Sequence, residues 1–494
     1  MTFEQFSQFA DGYNVIPLTR SLLADMQTPV SAYLALRQNS RSSFLFESVE
    51  PNERIGRYSF IGIDPTVLIR AQGMVCEITD QDGHRQEPGS IYSALADYAA
   101  RYRQPPLETL SGLTGGFVGY LGYDTVRHLE RLPGVTPAAG KESEAIFGLF
   151  EDIVKFDHFR QDLTIIHNVF IDGKRSLKEQ FEEGRKRLDT LELRLKRPAV
   201  PTPRLSLVGP PTECMTKDAF CQAVVRAREH IVEGDIFQVV LSRRVEMHFT
   251  GDLFPAYRAL RVINPSPYLF FLEFGNTALV GSSPEVLLRV QNGEAQVLPI
   301  AGTRKRGANE EEDRALEEEL LHDEKELSEH IMLVDLGRND VGRIAEYGTV
   351  TVPVLKRVER YSHVMHIVSE VTGRLRKSVT ALDALKACFP AGTVSGAPKV
   401  RAMEIINALE PVPRGVYAGA VGYLGLNGDL DTCIAIRTIV AHDGLLSVQS
   451  GAGIVADSQP EREYEETVNK AGALLDALKF AADGLLTMPK TGNR

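Results

Sequence analysis

The sequence predicts an α+β fold of large, mainly antiparallel sheets with helices outside them. Three observations lead there. Short apolar runs bounded by turn residues recur along the chain, as strands require. Amphipathic stretches with helical periodicity stand among them. The two kinds do not alternate as β-α-β units would, which argues against a parallel sheet.

In chain order, residues 44–46, 67–70 and 165–170 read as strands. The run Gly115-Gly116-Phe117-Val118-Gly119-Tyr120-Leu121-Gly122-Tyr123 reads as a strand with close backbone neighbours. Residues 174–196 form a charged amphipathic helix whose apolar face is Leu177, Phe181, Leu188, Leu191 and Leu195. Five prolines between 198 and 211, with almost no apolar periodicity, read as a linker or surface crossing. Beyond it, strands are expected at 238–241, 268–274, 286–290, 418–424 and 446–450. Helices are expected at 217–233, 309–336, 381–388, 400–409 and 459–482. The chain is therefore divided into a region 1–197, a crossing 198–214, a second region 215–485 and a tail 486–494.

Composition narrows the class. A chain of 494 residues is longer than one compact core usually holds. No stretch approaches the ~18 uninterrupted apolar residues of a membrane span, and residues 1–14 lack a basic segment followed by an apolar one. A cytoplasmic protein is expected. The five cysteines are scattered and form no C-x-x-C pair, so neither a zinc site nor a disulfide framework is indicated. A net charge of −11 argues against a general nucleic-acid surface. The chain contains no tryptophan, which would suit a protein needed when tryptophan is scarce.

Two acidic helices stand out. In Asp323-Glu324-Lys325-Glu326-Leu327-Ser328-Glu329-His330, Glu326 and Glu329 are three apart and share a helical face. The second starts at Asp457-Ser458-Gln459-Pro460-Glu461, where Ser458 and Glu461 suit a capping box. It continues through Glu463, Glu466 and Lys470 on one stripe. Two carboxylate stripes can hold a hard cation such as Mg²⁺, and the same pattern suits two solvated helix faces. Three loops add to this. Residues 390–399 lead into a helix whose N–H groups suit a carboxylate. Gly451-Ala452-Gly453 follows a strand and lets a ligand approach the backbone. Pro299-Ile300-Ala301-Gly302-Thr303-Arg304 is the third. None has the spacing of a P-loop or of a dinucleotide fingerprint.

The order of residues 299–304, 323–335, 392–399, Ser450-Gly451-Ala452-Gly453-Ile454-Val455 and Pro460–Thr467 resembles the chorismate-utilising enzymes. The likeness runs from Met215 to the last helix, with a weaker one at residues 44–48 and 56–60. It implies that family's fold, two large mainly antiparallel sheets packed together. It also implies Glu329 and Glu466 as Mg²⁺ ligands, with Glu463 supporting them. Glu326 would be the general acid on the departing C4 hydroxyl, and His366 would assist loss of pyruvate. Arg437 and Tyr417 would hold the enolpyruvyl carboxylate. Thr393, Gly453 and Lys470 would line the same anion pocket, with Gly302, Thr303, Gly451 and Ala452 beside the substrate.

Two positions separate chemistries within the family. Water-using relatives resemble one another in a lysine at the position of Gln238, a base that glutamine cannot replace. Aminodeoxychorismate synthases usually carry a nucleophilic lysine where this chain has Ala301. The resemblance thus points to the anthranilate synthases: ammonia attacks C2 of chorismate and pyruvate is eliminated to give anthranilate. An aminodeoxyisochorismate or aminodeoxychorismate synthase is the rival enzyme, and an inactive tryptophan- or partner-binding paralogue the non-enzyme alternative. Glu47 and Ser48, with Pro267, Tyr268 and Leu269, resemble those enzymes' tryptophan feedback site; many relatives have methionine where Leu269 stands. No cysteine sits in a glutaminase nucleophile turn, so a separate glutamine amidotransferase subunit is implied as the source of ammonia.

Overall fold

The computed structural model describes residues 1–38, 40–48, 56–107, 110–133, 143–198, 204–360 and 364–485. The expected tail, 486–494, lies outside the described residues.

The apolar runs pair into two 12-stranded sheets, and every named strand pair is antiparallel. Each sheet crosses the boundary between the two sequence regions. In the first, Ser42–Glu47 pairs with Tyr268–Phe274. In the second, Gly116–Leu121 pairs with Ala420–Gly425. Both seams thus join strands that lie hundreds of residues apart. Between the sheets lies an apolar layer that includes Phe44, Phe60 and Phe270 from the first and Val118, Phe150 and Val421 from the second. Helices cover the outer faces: Leu177–Leu195, Phe254–Ile263 and Pro460–Ala482 on one side, Ile91–Ala99, Glu324–Gly342 and Ala381–Cys388 on the other. The α+β class with packed sheets and external helices is therefore observed.

Four local expectations are corrected. Within the expected crossing 198–214, Ser206–Glu213 is a strand paired with Gln238–Thr250. Its register shifts between Val208 and Thr212, around Pro210 and Pro211, and it is largely exposed, as suits prolines on an edge strand. The single helix 309–336 is two, Glu310–His322 and Glu324–Gly342. Asp323 ends the first and caps the second, its carboxylate accepting from the N–H groups of Lys325 and Glu326, each at 3.1 Å. Gly451-Ala452-Gly453 lies inside the strand Leu445–Ile454, not after it. Finally, the last helix begins at Pro460 with Gln459 as its cap residue. Ser458 turns its hydroxyl to the N–H of Val455 at 3.0 Å, so no capping box forms with Glu461.

Candidate functional site

The capped start of the Glu324 helix fixes Glu326 and Glu329 on one face. An ion pair of 2.7 Å between Lys325 and Asp457 ties that start to the turn before the Pro460 helix. The second helix brings Glu463 and Glu466 opposite. Burial raises the pKa of Glu329, and the charges of Glu326 and Glu466 add to the rise; the Gln238 side chain opposes it by hydrogen bonding to the carboxylate. Glu463 is raised for the same reasons, burial first, and Glu466 then contributes, while a hydrogen bond from Ser458 opposes. Carboxylates crowded in this way repel, and a hard cation relieves the repulsion. The oxygen donors therefore fit Mg²⁺, which takes one or two protein carboxylates and fills its shell with water and substrate oxygens. Among the described residues, one group of three donors lies within 4.8 Å of one another, His230, Glu233 and Asp235. Asp235 there is already bonded to Arg401 at 2.6 Å and to His230 at 2.9 Å.

Cations gather beside the acidic helices. Arg437 is held at φ 49°, a left-handed conformation uncommon for a side-chain-bearing residue. Its guanidinium reaches Asn264 Oδ1 at 3.4 Å. Burial pulls its pKa down, and Glu285 opposes. A carboxylate would supply the bidentate partner that this guanidinium can use. Lys470 pairs with Glu466 at 2.7 Å and donates to the Gly451 carbonyl at 3.1 Å. A side chain at Gly451 would meet the Tyr417 hydroxyl at 2.6 Å, and one at Gly453 would meet the Gln238 amide at 2.8 Å. At Gly451 the Leu241 backbone oxygen, 2.9 Å from such a side chain, also leaves no room, whereas at Gly453 the Gln238 amide end can move aside. Ala452 points the other way, into the cluster of Phe220, Val224 and Leu241, and offers only backbone to the site.

Arg414 holds this region together. It is buried with Glu410 in an ion pair of 2.6 Å, and it donates at 2.7 Å to the carbonyls of both Val394 and Val240. The loop carrying Thr393, the strand carrying Gln238 and the segment leading to Tyr417 are thereby fixed to one guanidinium. Breaking such a buried pair costs about 3–5 kcal/mol.

On the facing sheet, Gly302 is a bulge residue with φ 68° between Ala301, paired with Ile367, and Thr303, paired with His366. The bulge turns the Gly302 carbonyl to His366 Nδ1 at 2.9 Å, with the Thr303 hydroxyl at 3.1 Å. Burial lowers the His366 pKa, the Gly302 bond opposes, and Arg437 lowers it further. The imidazole is thus neutral near pH 7, and a proton held on Nδ1 by the carbonyl makes Nε2 the basic nitrogen. Glu326 lies beside Gly302, its Oε2 3.3 Å from where a Cβ would stand.

Glu285 was not among the residues expected here. It follows the strand Thr277–Ser283 and accepts a 2.9 Å hydrogen bond from Thr393. Burial raises its pKa, against Thr393, Lys470 and Arg437, which lower it. A lone carboxylate in the apolar stretch after Ser282-Ser283-Pro284 was the available signal.

The remaining candidates line a second cavity of about 220 Å³ between the two sheets. Glu47, Ser48, Pro267, Tyr268 and Leu269 all border it, Glu47 opposite Leu269 across the strand pair. Glu47 accepts from the Tyr257 hydroxyl at 2.5 Å and from Arg261 at 3.0 Å. Tyr268 donates to Asp431 at 2.7 Å, and Arg289 bonds both. Among the described residues, the buried Ser48 hydroxyl has no hydrogen-bond partner.

A family described as chorismate binding enzyme matches residues 41–476. The chain belongs to the chorismate-binding enzymes. Within that family, the proteins named anthranilate synthase component 1 from Acetivibrio thermocellus and Pseudomonas putida are 45% and 46% identical to it. The alignments cover 98% and 97% of this chain and 99% of each relative. The crystal structure of anthranilate synthase component I from Streptococcus pneumoniae superposes with a TM-score of 0.74 at 38% identity, over 92% of this chain and 98% of that one. The menaquinone-specific isochorismate synthase of Escherichia coli, at 22% identity and a TM-score of 0.69, shares the fold over 96% of this chain and 98% of its own. No helix among the described residues is long and apolar enough to cross a membrane.

Proposed function

We propose that this chain is the chorismate-binding subunit of an anthranilate synthase, a cytoplasmic lyase that makes anthranilate and pyruvate from chorismate and ammonia. The observation that carries the reading is a pair of cations beside Tyr417, buried Arg437 and Lys470, next to four glutamates on two helices, with Lys470 paired to one of them, Glu466. Chorismate is a dianion, and burying two carboxylates is costly without such partners. Arg437 and Tyr417 receive the enolpyruvyl carboxylate, while Thr393, Lys470 and the backbone at 451–453 complete the pocket. Mg²⁺, held by Glu329 and Glu466 with Glu463 behind them, supplies positive charge to the ring carboxylate when bound.

Ammonia attacks C2 as the C4 hydroxyl leaves, and the hydroxyl must take a proton. Glu326 and Glu285 are the carboxyls beside the pocket. Glu285 suits proton delivery, because burial raises its pKa, while Glu326 has Arg304 3.5 Å away. His366, neutral and basic at Nε2, then suits removal of the C2 proton as pyruvate leaves. Gln238 cannot activate water as a base, and Ala301 offers no nucleophile, which supports direct amination. A separate glutamine amidotransferase subunit supplies the ammonia. Tryptophan, binding in the cavity at Glu47, Ser48, Pro267, Tyr268 and Leu269, is the feedback inhibitor.

The test is an assay of the purified chain with chorismate, MgCl₂ and an ammonium salt, following anthranilate fluorescence and pyruvate together. Equal amounts of both support the reading. Chorismate loss without pyruvate would overturn it in favour of an aminodeoxyisochorismate or aminodeoxychorismate product, and no loss at all in favour of an inactive paralogue.

A further inference from the structure

The helix Pro460–Ala482 carries Glu463, Glu466 and Lys470 and lies against the strand Leu445–Ile454 and the helix Lys217–Val232. Its buried residues are Thr467, Ala471, Leu474, Ala477, Leu478 and Ala481. The apolar ones thus begin only at Ala471, beyond the glutamates. Ahead of them, Gln459 gives the helix no side-chain cap bond, and Tyr464 meets the Phe220 ring edge-on at 6.1 Å. The turns that present the glutamates are therefore held chiefly by polar bonds, and these converge on Thr467.

Arg243 pairs in register with Ser450 across two strands. Side chains alternate along a strand, so both stand on the face to which Ala452 points, away from Gln238 and from the glycines at 451 and 453. There the buried Arg243 donates from Nε to Thr467 Oγ1 at 2.7 Å. Its guanidinium lies 4.8 Å from the centre of the Tyr464 ring and reaches Glu213, on the edge strand, at 3.1 Å. Ser450 donates its hydroxyl to the Thr467 carbonyl at 2.8 Å. One turn on, Lys470 donates to the Gly451 carbonyl at 3.1 Å. Two strands thus hold both the side chain and the backbone of the residue that follows Glu466, which fixes the rotation of the helix about its axis. Side-chain tips stand about 5–6 Å from a helix axis, so a rotation of about 20° would move a carboxylate by about 2 Å, the length of an Mg–O bond.

We propose that Arg243 is a positioning residue for the metal site: through its bond to Thr467 it sets the rotation at which the Pro460 helix presents Glu466 and Glu463. This rests on the reading of Glu329 and Glu466 as Mg²⁺ ligands. Arg243 lies five residues along the strand from Gln238 and faces the other way, so it acts on the site only through the helix. Crowded carboxylates repel one another, and without the clamp that repulsion turns the helix away from Glu329. Mg²⁺ demands near-ideal octahedral geometry, so a displaced carboxylate is a weaker ligand.

The test titrates MgCl₂ into the full chain and into Arg243→Met, Thr467→Val and Thr467→Ser, all at saturating chorismate. It is run once without ammonia, reading the thermal midpoint, and once with an ammonium salt, reading anthranilate. In the parent, Mg²⁺ should raise the midpoint, because a ligand of the native state stabilises it. In Arg243→Met and Thr467→Val the Mg²⁺ concentration for half the effect should rise on the order of 10–100-fold in both readouts, the usual consequence of losing a group that orients a metal ligand. The chorismate KM at saturating Mg²⁺ should stay near the parent's. Thr467→Ser keeps the hydroxyl and should keep the parental Mg²⁺ requirement. A merely structural Arg243 would lower the midpoint without Mg²⁺ and leave the half-effect concentration where it is. That result in the folded variants overturns the proposal and leaves the metal assignment standing; if Arg243→Met fails to fold, the two Thr467 variants decide. Absence of any Mg²⁺ effect on the parent overturns the metal assignment and the proposal with it.

Discussion

Thr393 donates a 2.9 Å hydrogen bond to the carboxylate of Glu285, joining the loop at 392–399 to the strand end that faces Arg437 and Lys470. The bond stabilises the ionised carboxyl, while burial, the larger effect, disfavours it. With a raised pKa, Glu285 is protonated below that value, and its capacity to donate a proton is lost as pH rises through it. Glu285→Gln should lower kcat about 10²–10⁴-fold, the usual contribution of a general acid, with little change in chorismate KM. Thr393→Val, which removes a bond to the ionised form, should move the alkaline limb of the kcat profile to higher pH. A parental kcat in Glu285→Gln would return the proton donor to Glu326.

Removal of either proposed metal carboxylate should abolish turnover while the fold survives. Glu329 is disfavoured where it stands, by burial and by Glu326 and Glu466, so Glu329→Ala relieves repulsion in the metal-free protein. Its thermal midpoint without Mg²⁺ should match or exceed the parent's. Glu466→Ala should likewise lose activity, and a chelator should inactivate the parent reversibly. Mg²⁺-dependent activity in both variants would remove the metal assignment.

At Gly451 the constraint is steric. An alanine methyl would stand 2.6 Å from the Tyr417 hydroxyl and 2.9 Å from the Leu241 carbonyl, and the backbone oxygen cannot withdraw. Gly451→Ala should destabilise the protein by about 1–3 kcal/mol, as overpacking usually does. It should also raise chorismate KM through the displaced Tyr417, measured by denaturant unfolding and steady-state kinetics on the same preparation. A change in neither would mean that the strand shifts freely.

Ser48→Phe places a phenyl ring in the cavity of about 220 Å³. Tryptophan inhibition should be relieved, with kcat and chorismate KM for the ammonium reaction unchanged. Inhibition curves identical to the parent's would separate the cavity from feedback.

Purified alone, the chain should use ammonium salts and not glutamine, since none of its five cysteines lies in a glutaminase turn. Adding a glutamine amidotransferase subunit should confer glutamine-dependent activity, read as glutamate release coupled to anthranilate.

Local chemistry was legible in the amino-acid order. The Tyr268–Phe274 strand and the Ala381–Cys388 helix lie where periodicity and turn residues put them. The carboxylate stripes and the family's order of motifs named most of the residues that the fold gathers, because period and spacing are properties of a short segment. What depended on distant partners was not legible. Asp323 divides one apparent helix into two because its carboxylate caps the second, which periodicity alone does not reveal. The strand Ser206–Glu213 forms on Gln238–Thr250 despite its prolines, because an edge strand tolerates a missing N–H. Glu285 becomes a candidate acid only when burial and the neighbourhood of Thr393, Arg437 and Lys470 shift its proton affinity. Glu47 meets Leu269, and Leu269 meets Ser282, through strand pairing across the sheet. The sequence by itself determined the residue types, the helix and strand periods and the family. Tertiary structure alone decided which charges are desolvated and which side chains oppose one another, since both depend on contacts between segments far apart in the chain.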